Sequence, residues 1–217
     1  MPILCFEGPS AAGKSTLATA MESHGAHVVR EANVLFPRPV EEAPDWYFQR
    51  QVDRWRMAEE AAREHPLVIL DGDPLQPLWY NWAYSYEGWQ PLDFLESFYR
   101  PRLESGEMGI PDRYVILQAD EATLRERKAM DTGRRRGGFE AHLRFIEPQR
   151  RYFRAMQEMA PTRVDFVDSG SVDATVEAVR RALPSVASAA DSLALFDGMI
   201  RWLRGNEAGG SRSAEGT

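Results

Sequence analysis

Gly8-Pro9-Ser10-Ala11-Ala12-Gly13-Lys14-Ser15 is the stretch on which the reading of this chain turns. It satisfies G-x-x-x-x-G-K-[ST], the spacing of a Gly-rich loop that cradles phosphate. Its surroundings suit that chemistry. The apolar run Ile3–Phe6 precedes it, and Ser15-Thr16-Leu17-Ala18 opens a helical pattern after it. In such a strand–loop–helix passage successive backbone N–H groups turn inward, and the helix amino end adds its positive dipole end. Gly8 and Gly13 supply conformations that a Cβ would hinder. Lys14 would bridge the β- and γ-phosphates, and the Ser15 hydroxyl would ligate Mg²⁺. Gly8, Ser10, Ala11, Ala12, Gly13, Lys14, Ser15 and Thr16 are thus the expected nucleotide-binding residues. The plain alternative is a tight strand–helix turn.

The lysine in that loop stands out against the composition. Of 26 basic residues only Lys14 and Lys128 are lysines. Lys is a compact point charge on a flexible stem, and Arg's planar fork would not fill the same space.

Working outward, five short apolar runs read as buried parallel strands: Ile3–Phe6, His27–Arg30, Leu67–Leu70, Tyr114–Leu117 and Val164–Val167. Helical patterns separate them. They are Ser15–Ser23, Trp46–Arg63, an aromatic segment Leu78–Leu103, Ala122–Met130 with Phe139–Met159, and Val172–Leu183 after the cap-like Ser169-Gly170-Ser171. Strands alternating with helices predict an α/β fold with a five-stranded parallel sheet covered on both faces. Ser185–Arg204 predicts one more helix. Residues 1–204 are expected to form a single domain and 205–217 a disordered tail without large apolar residues.

Composition bounds the function. A chain of 217 residues, 43% hydrophobic and 27% charged, suits one soluble α/β domain. No apolar run approaches the roughly 20 residues of a membrane span, and no signal-peptide pattern opens the chain, so a cytoplasmic protein is expected. A net charge of −7 argues against a nucleic-acid polymer as partner, though not against a small anion in a local basic pocket. The single Cys5 lies in an apolar run and reads as a buried structural thiol. His24, His27, His65 and His142 show no metal-ligand spacing and read as surface or packing residues.

Val68-Ile69-Leu70-Asp71 has the form of a strand ending in an acid. At the carboxyl edge of a parallel sheet that acid faces the same crevice as the loop, where it could hold Mg²⁺. Its alternative is a turn or cap residue of Asp71-Gly72-Asp73-Pro74.

FEGPSAAGKSTL, HVVREANV, WYFQRQ and YVILQADEATLRER occur in the order and approximate spacing of the deoxynucleoside kinases, and LDGDP is similar to the Leu-Asp-Gly-x-Pro run of nucleoside monophosphate kinases. From about residue 3 to residue 183 the chain resembles the deoxynucleoside kinase and thymidylate kinase-like group of P-loop kinases. The resemblance implies the three-layer P-loop NTPase fold with an Arg-rich lid at about 131–138. It implies Glu31 as general base on an acceptor hydroxyl, a role that suits a carboxylate across the crevice from the γ-phosphate. The alternative is a surface Glu paired with Arg30. Gln49 matches the group's base-reading glutamine, with Trp46, Phe48 and Trp55 as stacking faces or, alternatively, as core. Arg127, Arg134, Arg135 and Arg136 match the lid, with Arg127 and Arg134 expected on phosphate. Asp168–Gly170 falls at the adenine-contacting loop. Where the deoxynucleoside kinases carry Glu-Arg-Ser, this chain has Asp71-Gly72-Asp73, so the arginine that would assist there is absent. Trp79 opens an aromatic run, residues 79–89, that could wall a pocket for a bulky ring.

The expected activity is transfer of the γ-phosphoryl group of ATP, with Mg²⁺, to a hydroxyl of a small molecule, a nucleoside or nucleoside-like compound. A homodimer is an open possibility. A nucleoside monophosphate kinase, with Arg38, Arg50, Arg54 and Arg56 as a basic acceptor pocket, is one rival reading. An antibiotic-modifying kinase and an ATP-dependent switch protein are the others.

Overall fold

The five apolar runs become the strands of one parallel sheet: β1 (Ile3–Glu7), β2 (His27–Val29), β3 (Val68–Asp71), β4 (Arg113–Gln118) and β5 (Val164–Asp168). They lie in the order β2-β3-β1-β4-β5. The computed structural model describes residues 1–84, 90–131, 139–181 and 189–206. The helices among them are α1 (Lys14–Glu22), α2 (Ala32–Leu35), α3 (Trp46–Ala61), α4 (Gln76–Ala83), α5 (Leu92–Ser105), α6 (Glu121–Met130), α7 (Phe139–Leu143), α8 (Ile146–Met159), α9 (Val172–Arg181) and α10 (Ala189–Gly205).

Side chains alternate across the sheet with the strand period of two. Ile3 and Cys5 of β1 point into one core with Phe48, Val52, Phe98, Phe153 and Phe196 from α3, α5, α8 and α10. Leu4 and Phe6 point into the other with Leu17, Met21, Leu124 and Val176 from α1, α6 and α9. Burying each such side chain contributes roughly 1.5–3 kcal/mol, while an exposed ion pair contributes about 0–1, so the two cores and not the surface charges hold the layers. Cys5 is buried, and burial pushes its thiol pKa up, with Asp73 and Glu7 adding to the effect. This fits an inert structural thiol.

The sequence predicts single helical segments over Leu78–Leu103 and Phe139–Met159, and each is divided. The first becomes α4 and α5, with Pro91 at the N-cap of α5. The second breaks at Arg144-Phe145 before α8. A continuous helix there would drive the Pro148 ring against the carbonyl four residues earlier, whereas Pro is tolerated in a first turn. Gly205, expected to begin the tail, closes α10, and the Asn206 carbonyl accepts from Trp82 Nε1 at 2.7 Å. The remainder, 207–217, lies outside the described residues. Among the described residues no helix is long and apolar enough to cross a membrane.

The strand order positions the site. β1 is central, with β3 and β4 on either side, and register pairs Phe6 with Asp71 and Glu7 with Ile116. The carboxyl ends of β1 and β3 therefore come out level. The Gly-rich loop, Glu31 and Asp71 all leave the sheet at this edge, where open parallel sheets form their ligand crevices.

Candidate active site

The loop after β1 is shaped by backbone. Ala12 N–H donates to the Pro9 carbonyl at 3.1 Å, and Leu17 N–H to that of Gly13 at 2.9 Å, which starts α1. Gly13, the N-cap, has φ 99°. Gly8 has φ 145°, and a Cβ there would lie 2.5 Å from the Leu117 carbonyl oxygen at the end of β4. Ala11 also has a positive φ, 69°. The amino end of α1, with its positive dipole, opens onto the crevice. Lys14 Nζ donates across the loop to the Gly8 carbonyl at 2.7 Å and the Pro9 carbonyl at 3.4 Å. It stands 4.0 Å from Glu7 Oε1.

A group of carboxylates faces this cation. Glu7 ends β1 and is buried. Its Oε1 accepts from Gly8 N–H at 2.8 Å and Gln149 Nε2 at 3.2 Å, and its Oε2 from Asp73 N–H at 3.0 Å. Burial raises its pKa, and the Lys14 charge opposes the rise. Asp73 Oδ1 accepts from Leu75 N–H at 2.9 Å and the Tyr114 hydroxyl at 3.0 Å. Burial, reinforced by Glu7, pushes its pKa up to about 7. Asp71 is buried, and its Oδ1 has no hydrogen-bond partner. Glu31, the N-cap of α2, lies over this turn, its Cγ 3.7 Å from the position a Gly72 Cβ would take. Arg30 turns away to Glu22 at 2.7 Å and Thr19 Oγ1 at 3.3 Å, rather than pairing with Glu31.

One side chain ties these strand ends together. Arg54 of α3 is buried. Its Nε donates to the Arg30 carbonyl at 2.8 Å, Nη1 to Gln51 Oε1 at 2.6 Å, and Nη2 to the Asp71 and Gly72 carbonyls at 2.8 and 3.0 Å. The guanidinium thus fixes the carbonyl just before Glu31 and the backbone of Asp71 in one plane of donors.

Loop and carboxylates open into one cavity of about 1390 Å³. That exceeds the roughly 300–1,000 Å³ of a site for one small ligand and leaves room for two. Aromatic rings line it as well: Tyr47, Phe48, Trp79, Tyr80 and Phe145. Tyr80 and Phe145 stack with centroids 6.0 Å apart. The Tyr47 hydroxyl donates to Gln76 Oε1 at 2.8 Å. His142 lines the cavity, with Nε2 3.5 Å from the Tyr80 hydroxyl. Its pKa is lowered by burial first and by Lys14 second.

Of the residues singled out in the sequence, Gly8, Ser10, Ala11, Gly13, Lys14, Ser15, Thr16, Glu31, Asp71 and Trp79 line this cavity. Ala12 sits behind the loop, where its carbonyl accepts from Arg127 Nη1 at 3.2 Å. Arg127 also donates to Ser169 Oγ at 2.8 Å and to the Ser169 carbonyl, so it joins the loop to the passage after β5. Asp168 is exposed at the end of β5. Neither Arg127 nor Asp168 lines the cavity. Arg134, Arg135 and Arg136 lie outside the described residues.

Three expected substrate residues are placed elsewhere. Gln49 and Trp46 point off the cavity, because α3 turns about 100° per residue and presents Tyr47, Phe48 and Arg54 instead. Trp46 is flanked by the Arg38 and Arg50 guanidinium groups, 5.9 and 5.8 Å from its ring centroid. Arg56 pairs with Glu107, and Arg50 pairs with Asp53 at 2.7 Å. Of the four arginines, Arg38 and Arg54 line the cavity, while Arg50 and Arg56 do not. Sequence reasoning missed Glu7, Gln149 and the cavity position of His142, while Tyr80 falls in the aromatic run 79–89 expected to wall a pocket. Glu7 carried a signal, since it ends a strand at the same edge as Asp71. His142 carried none.

No family model matches the chain, and no curated protein matches it. Solved structures do. A deoxyadenosine kinase from M. mycoides with products dCMP and dCDP bound has a TM-score of 0.52 and 16% identity, covering 82% of this chain and 96% of that one. The same kinase with bound dATP gives a TM-score of 0.53 and 17% identity, covering 82% and 97%. At these identities the likeness is one of fold. The chain has the three-layer P-loop kinase fold seen in that enzyme.

Proposed function

We propose that this protein is an ATP-dependent phosphotransferase that moves the γ-phosphoryl group to a hydroxyl of a small molecule, a nucleoside or nucleoside-like compound. The observation that carries this reading is the shared cavity. The Lys14 loop, Glu31 and Asp71 line a single space large enough for a donor and an acceptor, with aromatic residues in its lining. The M. mycoides kinase of the same fold, with deoxynucleotides bound, supports it.

In this reading the loop amides and Lys14 hold the β- and γ-phosphates. Ser15 and Asp71 would hold Mg²⁺, which supplies charge neutralisation on the phosphate oxygens. The donor set fits that ion, which takes one or two carboxylates plus substrate phosphate rather than an all-protein cage. The orphaned, buried Asp71 Oδ1 is the residue-level support. Among the described residues no group of three or more His, Cys, Asp or Glu side chains is placed to hold a metal by itself.

Glu31 accepts the proton of the acceptor hydroxyl while its oxygen bonds to the γ-phosphorus and the bond to the ADP oxygen breaks. Arg127 and Arg134 complete the proposed machinery from the side of the lid. Arg127 would act through the loop that it braces at Ala12. Glu31→Gln tests the base. ATP affinity should persist while turnover falls by about 10²–10⁴-fold, the usual contribution of general-base catalysis. Turnover near wild type would remove Glu31 from this role.

A further inference from the structure

The lining of the cavity contains more polar capacity than the fold consumes. Buried polar atoms ordinarily find partners, so each orphan in a ligand cavity marks a place for a ligand atom. Three of the lining residues carry one each. Asp73, 1% exposed, uses Oδ1 twice and leaves Oδ2 without a partner. Asn81, 5% exposed, donates from Nδ2 to the Pro77 carbonyl at 2.7 Å and leaves Oδ1 without one. Trp79, 3% exposed, has an unpartnered Nε1. All three line the cavity.

The chemistry of the orphans is lopsided. Two are acceptors, one of them a carboxylate oxygen, and one is a donor. The charge around them points the same way. Glu7, Glu31, Asp71 and Asp73 line the cavity; Lys14, 4.0 Å from Glu7, belongs to the loop, and Arg54 is spent on carbonyl and amide oxygens. An acceptor bearing phosphate would be repelled here, and a carbonyl turned toward Asp73 would leave two oxygens facing each other. A nitrogen carrying hydrogens satisfies both Asp73 and Asn81.

We propose that Asp73 and Asn81, with Trp79 beside them, form a subsite for an amine on the acceptor molecule, and that this subsite selects the substrate. The inference rests on the phosphotransferase reading above. It assigns recognition to the β3–α4 turn and to α4, and not to Gln49. The amine could be an exocyclic amine on an aromatic ring or an alkylammonium, and matched pairs separate the two. Binding and phosphoryl transfer are measured with Mg·ATP for 2′-deoxyadenosine against 2′-deoxyinosine, 2′-deoxycytidine against 2′-deoxyuridine, and glucosamine against glucose.

A site built around such hydrogen bonds rejects the analogue lacking them. The amine member of at least one pair should therefore be favoured by about tenfold or more in kcat/KM. Asp73→Asn keeps an oxygen for Leu75 N–H and the Tyr114 hydroxyl but turns the orphan acceptor into a donor, and it should bring the ratio within about twofold. Asn81→Leu, an independent variant, should lower the same ratio. ATP affinity and the Mg²⁺ requirement should stay at wild-type values in both. Ratios within twofold in the wild type, or a preference that survives both variants, overturn the subsite while the phosphotransferase reading stands. A changed Mg²⁺ requirement in Asp73→Asn with the amine preference kept also overturns it, and makes Asp73 a metal residue. Absence of transfer to every hydroxyl compound tested, with ATP bound, overturns both.

Discussion

Replacing Arg54 by methionine tests whether one buried side chain holds the two strand ends that carry Glu31 and Asp71. The side chain is 1% exposed and makes four hydrogen bonds, three of them to backbone carbonyls of Arg30, Asp71 and Gly72. Hydrogen bonds to a charged group contribute about 1.5–3 kcal/mol each, so four would sum to about 6–12 if nothing replaced them. Water entering from the adjoining cavity would recover part of this for the carbonyls. An unsatisfied buried acceptor ordinarily costs about 1–3 kcal/mol, and with water reaching part of the four the expected loss is about 3–5 kcal/mol. Against a total of about 5–15 kcal/mol, the variant should still fold at low temperature. The assay is urea unfolding, read as a lower midpoint at an unchanged slope. Arg54→Lys keeps a charge but not the fork and should fall between the two. In the Met variant turnover should fall while ATP affinity persists, because Lys14 and its loop do not touch Arg54. A stability loss below about 1 kcal/mol would show that water substitutes freely for the guanidinium and would refute the reasoning.

The remaining predictions concern other parts of the site. Gly8→Ala places a Cβ 2.5 Å from the Leu117 carbonyl at a φ that L-residues rarely adopt. Backbone yields less than a side chain, so stability should drop by about 1–3 kcal/mol and nucleotide binding with it; unchanged unfolding would contradict the packing. Gly109→Ala, 2.3 Å from Trp55 Cζ2 and away from the cavity, should cost a similar about 1–3 kcal/mol with ATP affinity intact. His142 is one pH-sensitive group of the site, with Lys14 and Glu31 as its charged neighbours and Tyr80 in contact. Its folded pKa is depressed below 6.5, so the stability it contributes is complete above that pH. As pH falls below 6.5 the unfolded chain takes up the proton first, and that stability is lost. The stability difference between wild type and His142→Gln should therefore shrink from pH 7 to pH 5, and a constant difference would contradict the lowered pKa.

Much of the frame was legible because strand ends carry strong signals. Each of the five apolar runs is bounded by turn or cap residues, and no observed strand end differs from the expected one by more than one residue. An acid where a strand leaves the carboxyl edge placed Asp71 in the crevice, and the family resemblance placed Glu31 there. The strand-end rule applied once more would have found Glu7. Helices were less legible where apolar and aromatic patterning outweighed proline. Pro91 and Pro148 both mark breaks, and the run of aromatic residues obscured the first. Register within α3 was the main loss. Matching Tyr47-Phe48-Gln49 in order says nothing about which face is buried. Phe48, Val52 and Trp55 pack into the core and set the rotation, which brings Gln51 and Arg54 to the strand ends and turns Gln49 away. The partners of Arg54 are carbonyls on two other elements, and no spacing in one sequence reports such contacts. Arg127 was read for the lid, and it braces Ala12 and Ser169 for the same reason: its contacts lie 115 and 42 residues away.

The most direct test of the central claim is the dependence of ADP formation on an acceptor. Mg·ATP is incubated with the full chain, with and without a panel of nucleosides, nucleoside monophosphates and hydroxylated antibiotics. ADP and phosphorylated product are then quantified together by mass. One cavity that holds donor and acceptor predicts little ADP without an acceptor, one phosphorylated product per ADP with the right one, and neither in Lys14→Ala. ADP formed at the same rate with or without every acceptor, and no phosphorylated product, would contradict it.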